Sequence, residues 1–101
     1  MKPIFTQEHI DRWYAELEGK IPVITELEWP EAPQIMNFRG QPLTAGAAIR
    51  MQRRDGTFID VVMNPAMARE LAHWIFDAGQ KAGWLDKKFN VCPPPPAPFD
   101  A

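Results

Sequence analysis

Near the start of the chain, apolar residues recur with helical spacing. Ile10, Trp13, Tyr14 and Leu17 fall at i, i+3, i+4 and i+7, which places them on one face of a helix. Thr6 suits the N-cap, Glu8 lies in the first turn where the helix dipole favours an anion, and Gly19 suits the closing position. Phe5 and Ile10 occupy the two positions of a hydrophobic staple. The pattern then changes. Residues 21–29 (IPVITELEW) are β-branched at their start and predict a strand, at an edge because Pro22 is tolerated only there or near a strand's beginning. Pro30 and Pro33 impose an irregular stretch, residues 34–38 predict a short second strand, and residues 39–46 read as a turn-rich loop.

Residues 47–63 alternate around Arg54-Asp55-Gly56 and predict a β-hairpin. A two-residue Asp-Gly turn would set Met51 opposite Asp60 and mix charged with apolar groups on both faces. A three-residue loop places Gly56 in the left-handed position of a type I turn with a G1 bulge. Arg53 then faces Thr57, Met51 faces Ile59, Ile49 faces Val61 and Ala47 faces Met63, so one face is continuously apolar. On the other face Arg50 meets Asp60. A one-residue slip inverts both faces, so the alternation selects the three-residue loop.

A helix follows at once, with Asn64 as N-cap, Pro65 at the first helical position and Gly83 beyond the end. Ala68, Leu71, Ala72, Ile75, Ala78, Gly79 and Ala82 form its apolar stripe, with Arg69, His73, Asp77 and Gln80 on the far side. Trp74 and Phe76 lie at the borders of the stripe, and neighbouring loops are expected to cover Trp74. Trp84, Leu85, Phe89 and Val91 predict a short segment tucked against the body. The fold expected is α+β: a small antiparallel sheet of three to four strands with two main helices, in the order α-β-β-β-β-α. Residues 1–92 are expected to form a single domain, and residues 93–101, with four consecutive prolines, a flexible tail of polyproline II character.

Composition adds limits. The 101 residues are 46% apolar and 24% charged, which is ordinary for a globular chain. A single cysteine, Cys92, rules out an intramolecular disulfide and points to a reducing, cytoplasmic setting; no membrane association is expected. The net charge of −2 argues against a broad nucleic-acid surface. Residues 1–33 carry seven acids against three bases, and the remainder leans basic.

Candidate chemistry is sparse. His9, His73 and Cys92 have no metal-ligand spacing, and His73 with Asp77 at i, i+4 is explained by a solvated hydrogen bond. Cys92 beside a proline run is a poor place to hold a thiolate, and no phosphate-cradling glycine loop is present. No cofactor is expected. Glu26, Glu28 and Glu31 around Trp29 read as the solvated face of an edge strand or as an acidic patch for a basic partner.

The reading favoured by the sequence is a non-catalytic protein-binding or inhibitory accessory module, of the kind a bacterium or phage could use to dock on a larger machine. The alternative is a nucleic-acid-binding accessory protein that uses the arginine-bearing hairpin tip, and the third is an enzyme with an unrecognised site. A homodimer is also compatible. Aromatic and arginine residues dominate binding hot spots, so the candidate partner-binding residues are Arg53, Arg54 and Phe58 near the tip, with Trp74 and Phe76 on the second helix.

Overall fold

Thr6 opens the first helix as the sequence predicts, in extended conformation, and α1 spans Gln7–Glu16. Its cap is reinforced from within the first turn: the Thr6 backbone N–H donates to His9 Nδ1 at 2.9 Å, the place a glutamate takes in the usual capping box. Phe5 packs edge-on against Trp13, with ring centroids 5.1 Å apart. The helix does not run to Gly19. It closes on Leu17, which keeps a right-handed conformation and donates its N–H to Tyr14. In this computed structural model residues 5–93 are described, and the chain divides after Ala68 into two compact units.

The first unit holds α1 and a three-stranded antiparallel sheet of order β1-β2-β3: β1 is Ile35–Leu43, β2 Gly46–Arg53 and β3 Phe58–Met63. The α2 helix begins here at Pro65 and runs to Ala82. The observed order is therefore α-β-β-β-α, and the strand expected over residues 21–29 is not formed. That stretch lacks one backbone donor at Pro22, and its second half satisfies itself locally. Glu28 and Trp29 N–H groups both donate to the Thr25 carbonyl, Thr25 N–H donates to Glu28 Oε2 at 2.8 Å, and Trp29 Nε1 donates to Ile24 O at 3.2 Å. A short 3-10 turn, Trp29–Glu31, follows. Side chains that compete for nearby backbone groups favour such turns over strands.

The expected loop over residues 39–46 is also replaced. The strand predicted at 34–38 continues through Gly40 and Pro42 to Leu43, and only Thr44 and Ala45 turn the chain. Pro42 is accommodated because β1 lies at the sheet's edge, where its missing N–H faces no neighbour.

The β2–β3 hairpin has the register its alternation demands. Arg50 lies opposite Asp60, Met51 opposite Ile59, Ile49 opposite Val61 and Ala47 opposite Met63. The loop closes with Arg53 N–H on Thr57 O (2.8 Å) and Gly56 N–H on Arg53 O (3.0 Å), with Gly56 at φ 90°. With Phe38, Gly40 and Pro42 of β1 in register, one face of the sheet is apolar across all three strands. None of the sheet residues is buried; those of β1 are exposed along its whole length.

At the start of α2, Asn64 Oδ1 accepts the Met67 N–H at 2.8 Å, so the predicted cap is in place. The second unit takes the chain from Arg69 onward. Gly83, at φ 89°, donates to the Gly79 carbonyl and ends the helix in a left-handed C-terminal motif. The segment after it folds back on the helix: Leu85 is buried, at 8% exposure, and Leu85 pairs with Val91 in an antiparallel bridge. The close approach is at Gly79, where an added Cβ would lie 2.7 Å from Leu85 Cβ and 2.8 Å from the Trp84 ring.

This packing uses only part of the expected stripe: Gly79, one of its members, is buried under the returning segment. Gln80, assigned to the far side, is half-buried and donates through Nε2 to the Asp86 carbonyl at 2.7 Å. Ala72, Ile75 and Ala82, assigned to the stripe, are exposed. The returning segment reaches the helix through Gly79 of the stripe and Gln80 beside it, and leaves Ala72, Ile75 and Ala82 uncovered. Phe89 and Val91 of that segment are exposed rather than tucked in. Residues 94–101 of the proline-rich tail lie outside the described residues.

Candidate functional site

The prolines at 30 and 33 decide what the hairpin tip meets. They carry the chain from the 3-10 turn into β1 so that Gln34 comes alongside Arg54. The Arg54 backbone N–H donates to Gln34 O at 3.2 Å, and Arg54 Nη2 donates to Gln34 Oε1 at 2.7 Å. Arg53, half-buried, donates through Nη1 to Thr57 Oγ1 at 3.0 Å. Both guanidinium groups thus donate hydrogen bonds to neutral partners. The result is an open cleft of about 660 Å³ in which Arg53, Arg54, Asp55 and Gln34 face Trp29, Pro30 and Pro33. Trp29 stays largely exposed at its side.

The tip itself is stiffened by Asp55, whose Oδ1 accepts the Thr57 N–H at 2.9 Å and the Thr57 hydroxyl at 2.6 Å. These bonds, the hydroxyl first, hold the Asp55 carboxyl below the usual carboxylate range. Hydrogen bonds from Thr25 lower Glu28 in the same way, the backbone N–H contributing most. Both carboxylates are ionised and occupied, so neither is placed as a proton-transfer group.

Phe58 does not join this cleft. By register it shares the opposite sheet face with Gln52 and Asn37. Beside it Arg50 and Asp60 form a two-pronged pair, Nε to Oδ1 at 2.7 Å and Nη2 to Oδ2 at 2.8 Å, and the Arg50 guanidinium lies 5.4 Å from the Phe58 ring centre. The pairing lowers Asp60 and raises Arg50, chiefly through the side-chain hydrogen bonds. Arg39 stands next to Arg50 across β1 and β2. The sequence candidates at the tip are therefore split: Arg53 and Arg54 gather with Trp29, and Phe58 gathers with Arg50.

The helix candidates occupy the second unit. Trp74 is 67% exposed rather than covered. Phe76 is half-buried because Phe89 stacks on it, with centroids 5.1 Å apart and ring planes 11° from parallel. His73 Nε2 and Asp77 Oδ2 lie 3.2 Å apart, the local pair that their spacing suggests. The Cys92 Sγ faces the Gly83 carbonyl at 3.4 Å and is half-buried. Among the described residues no three His, Cys, Asp or Glu side chains come together as a metal would require, and no helix is long and apolar enough to cross a membrane.

The sequence alone ranks Trp29 below the hairpin tip, as the centre of an acidic strand that is the next candidate site. The signal was present in the flanking prolines, which end regular structure and leave an aromatic residue on an irregular, exposed segment. Comparison of the chain with family models, with curated proteins and with solved structures yields no match.

Proposed function

We propose that this chain is a non-catalytic protein-binding accessory module, and that the cleft between the 3-10 turn and the hairpin tip receives the partner. The observation that carries this reading is the meeting of Trp29 with Arg53 and Arg54 around an open cleft walled by Pro30 and Pro33. Tryptophan and arginine are the residue types that supply most binding energy at protein interfaces, and they do so from water-excluding pockets. Prolines at the rim keep the cleft's shape without ordering cost on binding. Arg53 and Arg54 are already oriented by Thr57 and Gln34, so little side-chain entropy remains to be lost.

The test is capture by the immobilised full chain from its own cell extract, followed by titration with the purified partner. Replacing Trp29, Arg53 and Arg54 together by alanine should leave the far-ultraviolet circular dichroism intact. It should also weaken the partner's affinity at least tenfold, about 1.4 kcal/mol. Equal affinity for wild type and triple variant overturns the assignment of the cleft. Salt-dependent binding of an oligonucleotide, lost in the same variant, would favour the nucleic-acid reading instead.

A further inference from the structure

The two edges of the sheet are not alike. In an antiparallel ladder, residues that exchange hydrogen bonds alternate with residues whose N–H and C=O point the other way. Arg53 bonds to Thr57, so Ile59, Val61 and Met63 turn their backbone groups toward β2. Phe58, Asp60 and Val62 turn theirs outward. The same parity carries through β2 to β1, where Phe38, Gly40 and Pro42 face outward. That outer edge is blunted. Asn37 Oδ1 accepts the Phe38 N–H at 2.8 Å, and Pro42 has no N–H to offer. Nothing comparable protects β3. Its three outward residues are exposed, Phe58 at 55% and Val62 at 73%, and their backbone groups have no partner among the described residues.

We infer that β3 pairs antiparallel with β3 of a second copy, around a twofold axis at Asp60, to make a continuous six-stranded sheet. The edge is self-complementary in this register. Phe58 comes opposite Val62 of the second copy, twice, an aromatic with a β-branched residue. On the other face Ile59 comes opposite Val61 of the second copy, so the apolar face that runs across Phe38, Met51 and Ile59 continues into the next subunit. Asp60 meets its own counterpart, which would repel if bare. Each is clasped by its own Arg50 at 2.7 and 2.8 Å, and the row Arg50-Asp60-Asp60-Arg50 across the axis is neutral. The pairing satisfies the outward groups of three residues on each side and closes the edge that the described residues leave unprotected. A twofold interface of this kind is isologous and does not propagate into fibres.

This inference is independent of the cleft at Trp29, and the test keeps the two apart. Sedimentation of the full chain between 1 and 100 μM (about the range in which modest dimers dissociate) should show a monomer–dimer equilibrium. Val62→Pro removes an outward N–H that the subunit itself does not use. Val62→Lys places a charge on the edge. Both should weaken the dimer at least tenfold with unchanged circular dichroism, whereas Met36→Lys on the opposite edge strand should leave it intact. A wild-type chain that stays monomeric throughout the range, or a dimer indifferent to both Val62 variants, overturns the proposal. The Trp29, Arg53 and Arg54 triple variant should dimerise like wild type.

Discussion

The loops at residues 53–57 and 86–90 have the same backbone and different residues at the critical position. In the first, Arg53 N–H bonds to Thr57 O and Gly56 N–H to Arg53 O; in the second, Asp86 N–H bonds to Asn90 O at 2.9 Å and Phe89 N–H to Asp86 O at 3.1 Å. Each is a three-residue loop whose last member is left-handed: Gly56 at φ 90° and Phe89 at φ 69°. Glycine adopts that conformation freely, whereas for a bulky side chain it is strained. The second loop compensates in two ways. Asp86 Oδ1 accepts the N–H groups of both Lys88 and Asn90, and the Phe89 ring stacks on Phe76 of the helix. The first loop is made by backbone permissiveness; the second is made by side chains that overrule the backbone.

If that contrast is right, substitutions should act differently on the two loops. The largest effect should come from Gly79→Ala, which lets the helix no longer approach Leu85 and Trp84. Overpacking there should cost about 2 kcal/mol in chemical denaturation, beyond any gain in helix propensity. Gly56→Val comes next, at about 1 kcal/mol or more, because a β-branched residue fits poorly in the left-handed region. Phe89→Ala should cost about 1 kcal/mol, since it removes the stack and keeps the strained backbone. Phe89→Gly removes both and should come within about 0.5 kcal/mol of wild type. A Phe89→Gly variant much weaker than Phe89→Ala would break the comparison.

Acid should act on the first hairpin with the smallest effect. Asp55 and Asp60 titrate below the usual carboxylate range in the folded chain, held by Thr57 and Arg50 respectively. Their contribution is complete above the unfolded value of about 4 and is lost as pH falls through the lower folded values. The unfolding midpoint should therefore be level near neutrality and decline below about pH 4. Asp55→Asn together with Asp60→Asn should flatten the decline.

The same contrast explains what could be read from the sequence. The first hairpin was legible because alternation, an Asp-Gly pair and the Arg50–Asp60 match all demand one register. The second was hidden, since the left-handed position carries Phe89 where glycine or asparagine is expected, and the segment's asparagine comes one residue later, at Asn90. The strand predicted at residues 21–29 failed because β-branched residues favour a strand only where a neighbour pairs with them, and Thr25, Glu28 and Trp29 satisfy one another first. Gly40 and Pro42 suggested a loop, yet both are tolerated on an edge strand. Of the candidate site, Arg53 and Arg54 were found by residue type. Their meeting with Trp29 depends on the path through Pro30 and Pro33, which no periodicity records.

Among the described residues, the sheet of the first unit leaves an apolar face without a buried residue and one edge without a protecting device. The measurement that bears on this most directly is amide hydrogen exchange at Phe58, Asp60 and Val62 as a function of protein concentration. Pairing through β3 predicts that these three amides exchange freely in dilute solution and become protected together as concentration rises, while Gly40 on the blunted edge does not change. Fast exchange at all three positions at every concentration would contradict the account.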